Sequence, residues 1–237
     1  MEMEIKQFRS PRGCLSYLLV SSDGSCVMID PSLEMGVDWY MREIGDRYNL
    51  RYIIETHTHA DHISCARELR KKYERVLFFM HKKARLQKKS LEVLEISDGE
   101  DIGLSDFSLE IIHTPGHTPD SISIFVPEKR ILFTGDTLLI GGTGRTDLQG
   151  GDSKRLFDSI WRKIILLGPD VIVYPGHDYE GGTSTTIGYE KKTNPRLQLS
   201  EAQFIETMNN YRPPLPELYE VAVQKNSSRK TIQKSVL

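Results

Sequence analysis

Three imidazoles and a carboxylate stand within six residues in Thr56-His57-Thr58-His59-Ala60-Asp61-His62. Imidazole nitrogen and carboxylate oxygen are the donors that suit zinc, iron, nickel or copper, and such a group buried without a partner loses its solvation. Capping the following helix or facing water are the other uses for these side chains, and their crowding weighs against both. Two further imidazoles, His117 and His177, each follow a glycine in a turn that contains proline, and Asp136 follows the apolar run Ile131-Leu132-Phe133. A lone carboxylate at such a place needs water or a cation. His113 falls inside an alternating pattern and reads as a structural group beside the site. Each motif is weak by itself; their order along one chain, each at the end of a run that reads as a strand, is a strong signal for a metal site.

Those runs define the elements that must aim the donors. Leu15 to Val20 and Ser25 to Ile29 flank the turn Ser22-Asp23-Gly24 and predict a hairpin. Val37, Tyr40, Met41, Ile44 and Tyr48 recur at helical spacing ahead of a strand from Arg51 to Glu55, which delivers the histidine cluster. A helix over Ile63 to Tyr73 precedes a strand over Val76 to Met80, and Lys82 to Glu100 is charged and ill-defined. Alternation in Phe107, Leu109 and Ile111 leads to His117. Strands over Ser121 to Val126 and Ile131 to Thr134, joined through Pro127-Glu128-Lys129-Arg130, lead to Asp136. A helix capped by Asp152 or Ser153 and a strand over Val171 to Tyr174 lead to His177. Ser200 with Gln203 marks a last helix through about Asn209. Hairpins followed by alternating strands and helices predict a mixed α/β fold.

Composition narrows the function. Lys plus Arg is 31 against 33 for Asp plus Glu, a net charge of −2, which argues against nucleic acid or an anionic membrane as partner. No apolar run is long enough to span a membrane, and the acidic start Met1-Glu2-Met3-Glu4 is unlike a basic leader, so a cytoplasmic location is expected. Cys14, Cys26 and Cys65 form no C-x-x-C pair and read as small buried side chains. A catalytic domain over residues 1–212 is expected, followed by an extension over 213–237 whose basic stretch Lys225 to Lys234 reads as a surface tail.

His57, His59, Asp61, His62, His117, Asp136 and His177 together resemble the H-x-H-x-D-H, later His, later Asp and final His of the metallo-β-lactamase superfamily, over about residues 10 to 180. The resemblance implies an αββα sandwich with metal at one edge of two sheets. Seven ligand-type positions would suit two metals and a bridging water, as in glyoxalase II, a zinc thioesterase acting on a glutathione thioester. Two features differ from glyoxalase II: the chain ends soon after the last ligand, and Thr134 to Ile140, Gly144-Arg145-Thr146-Asp147 and Asn194-Pro195-Arg196-Leu197 look like the persulfide dioxygenase branch. The segment Val221 to Asn226 matches that branch's closing segment only in part.

Membership in that branch implies one Fe(2+) per chain held by His57, His117 and Asp136, with three positions left for substrate and O₂. His59, Asp61, His62 and His177 then orient the ligands, or hold a second metal. The implied reaction oxidises glutathione persulfide with O₂ and water to sulfite and glutathione; the alternative is a dinuclear Zn(2+) thioester hydrolase of glyoxalase II type. By the same resemblance, Arg145, Tyr179 and Arg196 contact glutathione, whose two carboxylates two arginines can meet. A homodimer is compatible with the sequence.

Overall fold

The computed structural model describes residues 3–84 and 93–227. They fall into two compact units: one comprises the described residues of Met1–Ile96, Leu104–Phe107 and Leu215–Leu237, the other Ser97–Gly103 and Ser108–Pro214.

The first unit is built on a six-stranded sheet of β1 (Glu4–Arg9), β2 (Leu15–Val20), β3 (Ser25–Ile29), β4 (Asn49–Ile54), β5 (Leu77–His81) and β6 (Leu94–Ile96), in that order. β1, β2 and β3 pair antiparallel, including the hairpin expected from the turn at Gly24, and β3 through β6 pair parallel. Parallel pairing demands crossovers, supplied between β3 and β4 by α1 (Val37–Ile44) and between β4 and β5 by α2 (Ala66–Lys72). Tyr40 and Ile44 of α1 and Leu69 of α2 bury against Leu18, Met28, Ile53 and Phe78 of the sheet. The helix expected from Ile63 starts only at Ala66, because Ile63 O accepts from Leu33 N and Cys65 N donates to Pro31 O, which draws the intervening backbone out of helical pairing. β1 escapes the sequence pattern: Phe8 is its one buried side chain, and its strand state comes from pairing with β2.

The second unit carries β7 (Asp101–Gly103), β8 (Ser108–His113), β9 (Ile122–Val126) and β10 (Ile131–Gly135), a two-stranded piece β11 (Leu138–Leu139) with β12 (Gly142–Thr143), then β13 (Ile172–Pro175) and β14 (Thr185–Thr186). Its main sheet has the order β14-β13-β10-β9-β8-β7, and only β10 and β13 are parallel. α3 (Ser153–Ser159) begins at Asp152, whose side chain accepts from Arg155 N, and its path continues through a wider turn over Ile160–Ile164 and a tighter one over Ile165–Leu167. α4 (Ile187–Thr193) and α5 (Glu201–Asn210) follow, the latter opened by the Ser200–Gln203 capping box. Leu156, Ile160, Ile164, Phe204 and Met208 pack with Leu132 and Val173 in this unit's core.

The chain then returns to the first unit as α6 (Tyr219–Ser227). Of the stretch Lys225 to Lys234 expected as a surface tail, the described residues 225–227 belong to this helix, and Asn226 is buried there because it finds hydrogen-bond partners inside the unit. The rest of the basic stretch, residues 228–234, lies outside the described residues, as do 85–92 of the ill-defined stretch. No helix among the described residues is long and apolar enough to cross a membrane.

Candidate metal centre

In the first unit the donors gather where β3 and β4 stop, the carboxyl ends at which open parallel sheets hold ligands. Asp30 follows β3 in a left-handed conformation (φ 48°) and receives Thr56 N and the Thr56 hydroxyl, each at 2.7 Å. The threonine's single proton goes to Asp30, so its oxygen accepts from His57 Nδ1 at 3.0 Å. That assigns the proton of His57 to Nδ1 and makes Nε2 the nitrogen with the lone pair, as a metal ligand requires.

His59 does something else. Its Nε2 lies 3.2 Å from Asp30 and 3.0 Å from Glu55, both buried. Burial and the neighbouring His62 work against protonation, yet the two carboxylates prevail and the ring's pKa is raised to about 9. His62 Nδ1 sits 3.2 Å from Asp61, and the Cys14 thiol donates to the same Asp61 oxygen at 3.1 Å. Burial lowers the pKa of His62, but Asp61 and Cys14 more than offset it and raise it well above the usual histidine value. Cys14 therefore departs from the expected apolar role, whereas Cys26 keeps it, its thiol pushed up to about 12 by burial.

In the second unit His117 follows β8, Asp136 follows β10 and His177 follows β13. The parallel register opposes Gly135 to Pro175, so the next residues emerge side by side and His177 Nδ1 meets Asp136 Oδ1 at 2.6 Å. His117 Nδ1 donates to the backbone carbonyl of Arg145 at 2.7 Å, which leaves Nε2 as its lone-pair nitrogen, 3.6 Å from Asp136 Oδ2. A side chain at Gly144 would place its Cβ 2.0 Å from Asp136 O and 3.0 Å from the His117 ring; one at Gly176 would sit 2.5 Å from Asp136 Oδ1. The walls at His117 and Asp136 are therefore bare backbone. A lone-pair nitrogen and a carboxylate oxygen facing each other beyond hydrogen-bond range are a donor pair that fits a divalent cation.

The residues expected to contact glutathione are placed less uniformly. Arg145 already grips a carboxylate: Nε and Nη2 reach Asp147 at 2.7 Å, and Nη1 and Nη2 donate to the carbonyls of Pro214 and Pro213. Arg196 donates Nη1 to Thr143 O and Oγ1 and lies over the Tyr211 ring, with its centre 4.7 Å away. Tyr179 is 77% exposed and stacks on His177, lifted by a turn in which Asp178 accepts from the amides of residues 180 to 182.

Sequence reasoning passes over Asp30, Thr56, Asp178, Asn226 and Glu190. Asp30 carries the same signal as Asp136, an acid directly after an apolar strand. Thr56 and Asp178 sit next to named motif residues. Glu190 is wholly buried and accepts from Gly141 N, Asn194 Nδ2 and the Thr185 hydroxyl, while Asn194 Nδ2 also donates to Gly142 O. The Asn194-Pro195-Arg196 segment thus fastens the loop whose carbonyl orients His117.

The family model described as the metallo-beta-lactamase superfamily matches residues 9–177. The chain is 37% identical over 226 residues to the human protein named persulfide dioxygenase ETHE1, mitochondrial, covering 94% of this chain and 87% of that one. It is 36% identical over 166 residues to hydroxyacylglutathione hydrolase GloC of Haemophilus influenzae, covering 63% and 76%. The crystal structure of ETHE1 from Myxococcus xanthus superposes with a TM-score of 0.86 at 34% identity, over 95% of this chain and 99% of that one.

Proposed function

Because the chain belongs to the metallo-β-lactamase superfamily, in its persulfide dioxygenase branch, we propose that it oxidises glutathione persulfide with O₂ at one ferrous ion held by His57, His117 and Asp136. One persulfide, one O₂ and one water give one glutathione and one sulfite with two protons. The observation that carries this reading is the protonation pattern: His57 and His117 each tie Nδ1 to an oxygen acceptor and present Nε2, and Asp136 adds one oxygen while its other faces His177. Two imidazoles and one carboxylate form the donor set that non-haem iron oxygenases use. Ferrous iron held there would supply the redox chemistry that couples persulfide oxidation to O₂ reduction, which zinc has no second oxidation state to provide.

The protein's own groups then orient and bind. His59, engaged by Asp30 and Glu55, holds a buried charge balance beside the ligands instead of coordinating. Asp61, His62 and His177 fix the neighbouring rings and carboxylates. Tyr179 and Arg196 hold the glutathione part; Arg145, turned onto Asp147, chiefly shapes the rim.

Anaerobically purified protein is expected to carry about one iron per chain, the count for one facial donor set, and to consume O₂ only when glutathione persulfide is present. Asp136→Ala should abolish iron and O₂ uptake, while His62→Ala keeps most of the iron. The likeness to the hydroxyacylglutathione hydrolase favours a second reading, a two-zinc thioester hydrolase. Two tightly bound zinc ions with rapid cleavage of S-lactoylglutathione and no O₂ uptake would replace the first reading by that one.

A further inference from the structure

A buried loop without regular structure must find donors for its carbonyls. In the histidine loop the carbonyls of His59 and His62 both accept from one side-chain nitrogen, Asn226 Nδ2, at 2.9 and 2.8 Å. The oxygen of the same amide accepts from Ser64 N at 3.0 Å. Asn226 is 2% exposed and comes from α6, far along the chain from the loop it serves. A primary amide has two N–H groups on one atom and one carbonyl, and all are engaged here. Rotated by half a turn, it would set its oxygen against two carbonyls, so a single orientation is possible. Aspartate has no proton to offer at these positions, and glutamine reaches one methylene further.

Other anchors act at the loop's two ends, and between them two side chains are held as well, the His59 ring by Asp30 and Glu55 and Asp61 by the Cys14 thiol. Thr56 is tied to Asp30; at the far end Ile63 O accepts from Leu33 N at 2.8 Å, Cys65 N donates to Pro31 O at 2.9 Å, and the Ser64 hydroxyl donates to Glu55. The carbonyls at 59 and 62 lie between those ends and are joined by Asn226. We infer that Asn226 is a positioning residue for the metal loop: through residues 59 to 64 it sets the backbone that presents His57, which makes α6 part of the site's scaffold. The inference rests on the reading of His57 as a metal ligand. A simple tether for α6 would affect stability and leave metal binding alone.

The full-length metal-free protein, titrated with Co(II) without oxygen, separates the two. Asn226→Ala and Asn226→Asp are compared with wild type and with Val221→Ala, an exposed change on the same helix. The expected result is folded variants at 226 that bind Co(II) at least about tenfold more weakly, the scale of losing a group that orients a ligand, with displaced ligand-field bands. Val221→Ala should match wild type. Wild-type affinity and an unmoved spectrum in both 226 variants overturn the inference. Should those variants fail to fold, hydrogen exchange on the wild-type protein decides: the Ser64 amide must lose protection together with the amides of α6, and a Ser64 amide that outlasts every amide of α6 overturns the coupling. Wild-type protein that binds no Co(II) sinks the metal reading and the positioning role with it, whereas wild-type binding with unmoved variants sinks the positioning role alone.

Discussion

The Thr56 hydroxyl has one proton and two neighbours, and because that proton goes to Asp30, His57 must donate from Nδ1 and keep its lone pair on Nε2. Thr56→Val keeps the shape and removes the relay, so iron affinity should fall about 10- to 100-fold, measured as iron retained after equilibrium dialysis; Thr56→Ser should restore it. A valine variant that retains iron as wild type does would show the relay to be idle. The Arg145–Asp147 pair gives a pH test. The Arg145 guanidinium holds the Asp147 carboxyl below its ordinary value of 3.8, against the opposing effect of burial. A carboxylate depressed in the folded state stabilises fully above its unfolded pKa and loses that contribution as pH falls through the lower folded value. The difference in urea midpoint between wild type and Asp147→Asn should therefore be largest near neutrality and shrink below about pH 4. A difference that stays constant down to pH 3 would contradict the pairing.

The strands were readable where their side chains alternate or run apolar, and the boundaries of the β2–β3 hairpin match the pattern. Alternation reports burial, which a local window carries. Pairing is not local: β11, β12 and β14 are two residues each and exist only because a neighbour completes them. The donors were readable for a related reason, since chemistry at a strand end is conspicuous beside an apolar run. Asn226 was not, because an asparagine near basic residues looks like surface until its distant partners are known. The loop that leaves β12 through Gly144 shows how an element serves a ligand. Gly144→Ala would force its new methyl into the carbonyl of Asp136, so the loop must shift and carry with it the carbonyl that receives His117 Nδ1. The variant should fold and bind iron poorly, read by iron content beside far-UV circular dichroism; normal iron content would mean that the loop can relax without disturbing His117.

For the molecule as a whole, the near balance of 31 basic and 33 acidic side chains leaves its stability without a large self-repulsion to overcome. An ion bound only by the folded state adds to stability by mass action: ferrous iron at about 100 times its dissociation constant should raise the unfolding free energy by about 2.7 kcal/mol. Chelation should reverse the rise, and an unfolding curve indifferent to ferrous iron would argue against a folded-state site. The clamp on the histidine loop also has a meaning in time. Asn226 is synthesised 167 residues after the His59 carbonyl it holds, and at the usual 5 to 20 residues per second that is a delay on the order of 10 to 30 s. Throughout that interval the loop exists on the nascent chain without its clamp, so under the positioning role inferred for Asn226 a metal ion meets a fully held histidine loop only after α6 has been made.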